Sequence, residues 1–150
     1  MLAAVERSPA YVLAQDKVGW LSLFAAAGVT EDPVGTAPNG KNVRPVRSTG
    51  EDDLARFYET FIAGNEIRFD VAEDLAAGDE VVRDVTIHTR LSTSLAVEVP
   101  AHLIYQLVEE GGELKIRRLR ALWDLRQRSV TAMAAGPLGL YTMQIGRAHV

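Results

Sequence analysis

Four long runs of alternating apolar and polar side chains dominate the second half of the chain. They cover residues 66–71, 80–91, 95–108 and 114–125. Alternation with a period of two residues is typical of strands that bury one face. Turn signals at residues 77–79 and 111–112 separate neighbouring runs, so the sequence predicts a mostly antiparallel sheet. Pro100 lies inside the third run and predicts a bulge or an edge position, because proline lacks the N–H that a strand ladder needs.

The first part of the chain predicts two helices. Ser8-Pro9 indicates the start of the first, since serine caps helices and proline suits the first helical position. Asp16 is the expected cap of a second helix over residues 17–27, with Gly28 at its end. Together with the strands, this order predicts an α+β fold with helices covering one face of the sheet.

Three further segments are predicted. Residues 29–32 predict a short strand, and residues 36–50 a mobile basic loop with a turn at Asn39-Gly40, Lys41, Arg44 and Arg47. Residues 51–63 predict a third helix, because acidic residues precede an apolar stripe at helical spacing. That stripe consists of Leu54, Phe57, Tyr58, Phe61 and Ile62. Residues 129–135 predict a helix that Gly136-Pro137 ends.

Length and charge limit the classes of protein. With 150 residues, the chain is long enough for one domain, predicted over residues 1–144. A net charge of −4 argues against general nucleic-acid binding, which needs a basic surface. There is no cysteine, so disulfides are excluded. We expect neither a signal peptide nor a membrane-spanning segment, and therefore a cytoplasmic protein with no membrane or nucleic-acid partner.

The last six residues, 145–150, break the preceding pattern. Their sequence, IGRAHV, matches the translation of a widely used sequencing adapter. We therefore expect them to be an artefact and the natural C-terminus to be missing.

Asp32 is the main candidate for a functional group. It ends the strand predicted over residues 29–32, and Pro33 restricts it to extended conformations. A carboxylate on a stiff backbone beside a largely apolar fold is where a tuned proton acceptor is expected. The alternative is an ordinary surface aspartate before a turn proline.

Three short stretches of the sequence resemble one family. They are Leu23-Phe24, the run Val29-Thr30-Glu31-Asp32-Pro33-Val34-Gly35, and Arg56-Phe57-Tyr58. Over residues 8–123 the chain resembles the ketosteroid isomerase branch of the nuclear-transport-factor-2-like (SnoaL-like) superfamily. The resemblance implies a cone-shaped curved sheet, with three helices that cover one face and enclose an apolar pocket. It also implies that Asp32 is the general base of a cofactor-free enzyme.

The residues that would hold the substrate oxygen depart from the family pattern. The family's two donor positions correspond to Ser8 and His102, and neither carries the family's residue. Tyr58 matches the family's supporting tyrosine. His102 through a ring N–H, and Tyr58 or Tyr11 through a hydroxyl, are therefore the expected donors. Structural roles for His102 and Tyr58 are the alternative.

The resemblance further implies an apolar pocket lining. The residues at those positions are Phe57, Val85, Ile87, Ile104, Leu119 and Trp123. Arg83 shares a strand face with Val85 and Ile87 and is a further candidate for substrate binding. If buried, Arg83 needs a carboxylate from Asp32, Glu31 or the ligand, and a solvated place at the sheet rim is the alternative. We expect Glu31 itself to be solvated.

These observations favour a small isomerase-like enzyme that moves a proton on a hydrophobic carbonyl substrate. The alternatives are a non-catalytic module for an apolar ligand or a partner, and another reaction of this fold such as polyketide cyclisation, dehydration or epoxide opening. No metal site or cofactor is predicted, since no histidine pair has ligand spacing. A homodimer through the sheet is expected, because two strands are partly apolar on both faces.

Overall fold

A computed structural model describes residues 1–43, 51–92, 95–123, 129–133 and 140–144. The predictions made for Arg44, Arg47, Gly136-Pro137 and residues 145–150 lie outside these ranges. In the described part of the chain, no helix is long and apolar enough to cross a membrane.

Among the described residues, three helices form in the first half of the chain. They are α1 Leu2–Leu13, α2 Lys17–Ser22 and α3 Asp53–Phe61. The Asp16 carboxylate accepts from the Gly19 N–H at 2.9 Å, and that of Asp52 from the Ala55 N–H at 2.8 Å, so both helices have the side-chain caps typical of a helix start. The start predicted for α1 at Ser8 is wrong, because the helix begins at Leu2 and contains Pro9.

In the described ranges, eight strands make one sheet. They are β1 Phe24–Glu31, β2 Asn39–Gly40, β3 Glu66–Ala77, β4 Glu80–Ser92, β5 Leu95–Glu110, β6 Glu113–Leu122, β7 Ser129–Met133 and β8 Leu140–Gln144. The main order is β2-β1-β6-β5-β4-β3, with β7 on β5 and β8 on β7. All pairs are antiparallel except β1 with β6, which run parallel. The sheet curves around the helices, and the predicted cone-shaped α+β fold is confirmed.

Pro100 lies where β5 changes partner. Residues Leu95 to Glu98 of β5 pair with β7, whereas pairing with β6 begins at His102. On the other side, Pro100 is opposite Thr86 in an unbroken register with β4. The predicted bulge is absent on the β4 side, whereas on the other side Pro100 lies between the described pairs with β7 and with β6, which corresponds to the predicted edge position. The missing N–H of Pro100 falls in the interval between the two partners, where it disrupts neither ladder.

Two segments predicted as helices are strands. Helix α2 ends at Ser22, and β1 begins at Phe24, where residues up to 27 had been predicted helical. Gly28 is therefore inside a strand and not at a helix end. A Cβ at Gly28 would lie 2.8 Å from the Ile116 carbonyl oxygen, so only glycine allows β1 to approach β6 this closely. Residues 129–133, predicted as a helix, form β7.

The described part of the predicted basic loop is held in place. Asn39-Gly40, predicted as a turn, is the short strand β2. The Lys41 ammonium group donates to the backbone oxygens of Leu21 at 3.1 Å and Phe24 at 2.9 Å. Lys41 thus connects this segment to the end of α2 and the start of β1.

The core lies between the helices and the concave face of the sheet. Trp20 of α2 is at its centre and is 2% exposed. Its ring centroid lies 4.9 Å from that of Phe24 and 5.6 Å from that of Tyr58. Leu54, Phe57 and Tyr58 bury the predicted stripe of α3 against this group, whereas Phe61 is largely exposed. One end of this core is incompletely filled, and the candidate site lies there.

Candidate functional site

Inward-facing side chains of four strands form rows across the concave face. One row consists of Thr30, Leu119, Tyr105 and Val81, which lie opposite one another in turn. The next row contains Ala121, Leu103 and Arg83. Asp32 follows Thr30 by two residues and therefore extends this second row on the β1 side. The chain continues alongside β6, because the Val34 N–H donates to the Ala121 oxygen at 2.8 Å.

Two adjoining cavities open between these rows and the helices, with volumes of about 120 and 180 Å³. Both are lined by Asp32, Phe57, Phe61 and Ile87. The inner cavity adds mostly apolar residues from the sheet and helices, together with Ser8, Thr30 and Tyr105. The outer cavity adds Val99 and Trp123. A mostly apolar pocket with a few polar groups is typical of a small-molecule site.

Asp32 lies on the wall that the two cavities share. The Trp123 indole N–H donates to its Oδ1 at 2.7 Å. Burial raises the pKa of Asp32 above its ordinary value, and the hydrogen bond from Trp123 opposes that rise to a smaller extent. The carboxylate is therefore a stronger base than one in water, and the Trp123 N–H fixes its orientation.

Glu31, the preceding residue, faces the opposite side of the strand. It is 5% exposed, and its carboxylate contacts the guanidinium groups of Arg118 and Arg120 on the neighbouring strand β6. The prediction that Glu31 is solvated is therefore wrong. Arg118 and Arg120 share one face of β6 by alternation, but the parallel pairing that brings Glu31 beside them was not visible in the sequence.

Arg83 is buried beside the inner cavity and is 1% exposed. Its guanidinium forms two hydrogen bonds to Asp74, at 2.8 and 2.9 Å, and one to Glu6 at 2.6 Å. The sequence had suggested Asp32, Glu31 or the ligand as the carboxylate for a buried Arg83. Asp74 and Glu6 take that role instead. Arg83 does not line either cavity described above. The ion pair with Arg83 lowers the pKa of Asp74.

Tyr105 and Ser8 line the inner cavity together. Both are buried. Burial raises the pKa of Tyr105 to about 12, although the nearby Arg83 charge and the Ser8 hydroxyl act in the opposite direction. Tyr105 therefore keeps its proton at neutral pH and can donate it. Sequence reasoning placed Tyr105 on the apolar face of its strand but did not identify it as a polar site residue.

The proposed lining residues divide into three groups. Phe57, Ile87, Leu119 and Trp123 line the cavities. Val85 is on the same face but is packed into the core. Ile104 lies on the outer face, because Leu103 and Tyr105 point inward on β5 and neighbours in a strand alternate.

His102 requires a correction of the same kind. Its side chain is 61% exposed and lies 3.8 Å from Asp84 on the outer face, so it does not face the pocket. The correspondence with the family was counted without gaps, and an error of one residue in such a count moves a strand's side chain to the other face. The neighbouring inward positions are Ala101 and Leu103, and both are buried.

Tyr58 is buried in the aromatic core and does not line either cavity described above. Its hydroxyl has no hydrogen-bond partner among the described residues. Burial raises its pKa. Its placement corresponds to the structural alternative considered for it. In the described ranges, no group of three histidine, aspartate or glutamate side chains is placed to hold a metal ion.

Comparison with known proteins gives one family and many similar structures. Residues 5–119 match the sequence profile of the SnoaL-like domain. A search of curated proteins returned no match. A Mycobacterium tuberculosis protein in complex with estradiol-17beta-hemisuccinate is 26% identical, with a TM-score of 0.70 over 85% of this chain and 95% of that chain.

Two further structures are similar. The Delta 5-3-ketosteroid isomerase from Mycobacterium sp. is 25% identical, with a TM-score of 0.66 over 95% of this chain and 97% of that chain. A computationally designed 17-OHP binder is 23% identical, with a TM-score of 0.72 over 86% of this chain and 96% of that chain. The likeness to the designed binder shows the fold alone. The cavity and Asp32 thus lie in a fold that has both catalytic and ligand-binding members.

Proposed function

Because the chain belongs to the SnoaL-like family, we propose that it is a small cofactor-free enzyme in which Asp32 transfers a proton on a hydrophobic, carbonyl-bearing substrate, as a steroid Δ-isomerase does. The observation that carries this proposal is the place of Asp32. It lies on the shared wall of two largely apolar cavities, and burial raises its pKa. The similarity to a ketosteroid isomerase supports the same chemistry.

The reaction follows from these surroundings. The Asp32 carboxylate takes a proton from the carbon next to the substrate carbonyl, and the electron pair of that C–H bond moves into an enolate. The protonated Asp32 then returns the proton to another carbon of the enolate, which moves the double bond. A carboxylate with a raised pKa accepts a carbon-bound proton more readily, and the apolar walls keep competing water away. The Trp123 N–H fixes the carboxylate during both steps.

The test compares wild type with Asp32→Asn. A 5-ene-3-ketosteroid is the substrate, and formation of the conjugated enone is followed by absorbance. We expect Asp32→Asn to lower kcat by roughly 10²–10⁴-fold, which is the usual contribution of a general base. Fluorescence titration with equilenin, an aromatic steroid, should show that ligand binding survives. The matched control is Glu31→Gln, which changes the neighbouring carboxylate on the opposite face and should keep turnover within a few-fold. Unchanged turnover in Asp32→Asn would show that Asp32 is not the base.

A second candidate function is binding of an apolar ligand without catalysis. The residues at the two family donor positions favour it. Ser8 stands at the first position in place of the family's residue, and His102 at the second faces outward. Tight equilenin binding by wild type with no turnover of any β,γ-unsaturated ketone would select this function. Turnover that depends on Asp32 would exclude it.

The outer face of the sheet supports the predicted homodimer as part of this proposal. Leu122 is 40% exposed there, and Ile104 is half-buried beside it on the neighbouring strand. Analytical ultracentrifugation of wild type and Leu122→Glu tests it: a dimer that dissociates in the variant supports the proposal, and a monomeric wild type contradicts it.

A further inference from the structure

We propose that a third cavity, between the end of α1 and the start of β3, binds an alkyl chain of the ligand. The ligand class is a ring system with a ketone at one end and a short, unbranched and uncharged chain at the other. The direction in which the ketone lies rests on the proposed function. The binding of the chain does not, because it requires only the inner cavity and the third cavity.

The first argument is the position of the third cavity, which has a volume of about 180 Å³. Its lining consists of Val12, Leu13, Gln15, Asn65, Glu66 and Ile67. Val12 and Ile67 also line the inner cavity, so the two cavities meet along these side chains. Val12 is buried and Ile67 is half-buried. A ligand that reaches from one cavity into the other must therefore pass these two side chains.

The second argument is the direction in which the ligand lies. The strands β1, β6, β5, β4 and β3 follow one another in the sheet, so β3 is four strands away from β1. Asp32 directly follows β1 and Ile67 belongs to β3, and both residues line the inner cavity. A ligand with its reacting carbon at Asp32 therefore directs its far end toward Ile67 and the third cavity.

The third argument is the chemistry of the lining. The Asn65 side-chain nitrogen donates to the Phe61 oxygen at 3.0 Å, and that of Gln15 donates to the Asn65 backbone oxygen at 3.1 Å. Both side-chain amides thus use donors within the protein. Leu13 is 62% exposed, so a ligand chain beside it would cover apolar surface that otherwise faces water. An alkyl chain therefore suits this cavity better than a group that needs a hydrogen-bond donor.

The fourth argument is the charge at the third cavity. Among its six lining residues Glu66 alone is charged, and it is an acid. Its carboxylate forms an ion pair with the Arg90 guanidinium at 3.2 Å, and both side chains are exposed. A carboxylate at the end of a ligand chain would find no cationic partner in this lining and would lie near an acid, which is unfavourable. The structure therefore favours an uncharged chain end.

Gln15 holds the wall of the third cavity in a fixed shape. It comes directly after the C-cap of α1 and has a φ of 53°, in the left-handed region that favours glycine. The side chain explains a glutamine at this position, because its oxygen accepts from the Gly64 N–H at 2.9 Å and its nitrogen donates to the Asn65 oxygen. These bonds tie the end of α1 to the segment before β3, as a preformed binding site requires.

The experiment uses 6-alkyl-2-acetylnaphthalenes that carry a methyl, ethyl, propyl or butyl chain. Fluorescence titration gives their affinities for wild type, Leu13→Glu and Ile67→Phe. The affinity for wild type should rise about three- to fourfold with each added methylene, because each one is removed from water. Leu13→Glu places a charge in the third cavity, and Ile67→Phe narrows the way into it. In both variants the gain with chain length should nearly disappear.

Leu75→Glu is the matched control. Leu75 is 60% exposed, much as Leu13 is, but it lines none of the three cavities, so this variant should keep the gain of wild type. Leu13 is exposed and should accept a charge without unfolding, so the test does not depend on Ile67→Phe alone.

An affinity for wild type that does not rise with chain length would overturn the proposal. So would a gain that Leu13→Glu preserves, failure of every probe to bind, or equal affinity when a carboxylate replaces the terminal methyl of the butyl chain. Turnover is read separately. Asp32→Asn should keep the gain with chain length, so the proposed base can fail while the third cavity still binds the chain.

Discussion

Glu31 and Asp32 are adjacent carboxylates on one strand, but their surroundings are opposite. Glu31 is buried against two arginines on the outer side of the sheet. Asp32 projects into an apolar cavity and accepts one hydrogen bond, from the Trp123 indole. Charge on Glu31 is compensated by neighbouring charge, whereas charge on Asp32 is only partly compensated.

This difference separates a structural carboxylate from a candidate base. An ion-paired carboxylate stabilises the fold but has little tendency to accept a proton. A carboxylate in apolar surroundings costs folding free energy when ionised, and the same cost makes it a better base. Because neighbouring side chains of a strand point to opposite faces, two adjacent residues can have these opposite surroundings.

The largest effect on stability is expected for Glu31→Gln. The substitution leaves Arg118 and Arg120 without their carboxylate, and the half-exposed state of both arginines reduces the cost below that of a fully buried pair. We expect the free energy of unfolding at pH 7 to fall by about 2 kcal/mol. Urea denaturation measures it, with Asp32→Asn as the control that should not lose stability. A loss in Asp32→Asn as large as in Glu31→Gln would contradict the comparison.

The pH dependence of stability sharpens the comparison between Glu31 and Asp32. The folded state raises the pKa of Asp32, so its contribution is present below the ordinary aspartate pKa and is lost as the pH rises through the raised value. Asp32→Asn should therefore be more stable than wild type at pH 7, by up to about 1 kcal/mol, with the difference disappearing near pH 3.

Asp74 should change the pH dependence of stability in the opposite direction to Asp32. Its pKa is lowered by Arg83, so its contribution is present above the ordinary pKa and is lost as the pH falls through the lowered value. Asp74→Asn should be less stable than wild type at pH 7, with a smaller difference in acid. Urea denaturation from pH 2 to pH 8 gives both curves, and curves of the same sign would contradict this assignment.

The smallest effect is expected for Trp123→Phe. This variant keeps an aromatic wall but removes the N–H that lowers the pKa of Asp32. The pKa of Asp32 should rise further, and the acidic limb of the pH–rate profile should move to higher pH with less than a tenfold change in the maximum rate. Carboxyl carbon NMR of Asp32 reports the same shift without turnover. A limb that stays in place or moves to lower pH would show that the indole bond does not tune the base.

Much of the fold was predictable because the strands carry a clear period of two. Ile87 and Leu119 follow from that alternation. Residues 24–27 did not follow, since a short apolar run suits a helix and a buried strand equally well, and the tertiary contact between β1 and β6 decides between them. Residues 129–133 have the same ambiguity.

The site was predictable only in part. The run around Asp32 identified the candidate base, and the resemblance supplied much of the lining. His102 and Ile104 were placed inward because an ungapped alignment fixes a strand's register only to within a residue, and one residue reverses the face. Tyr105 was missed as a polar lining residue because the alternation of its strand marks only an inward position, and the cavity that it shares with Ser8 exists only in the folded chain.

The position of Pro100 has a consequence for how this fold tolerates change. It divides β5 into two lengths with different neighbours, β7 on one side of it and β6 on the other. Leu103 and Tyr105, which line the inner cavity, belong to the length that pairs with β6, whereas Val99 of the outer cavity lies just before Pro100. Insertions or deletions in the hairpin of β7 and β8 therefore change a ladder that ends before the rows of the inner cavity begin. We therefore expect that the β7–β8 hairpin can be replaced without a change in the pairing of β5 with β6, on which the inner cavity depends.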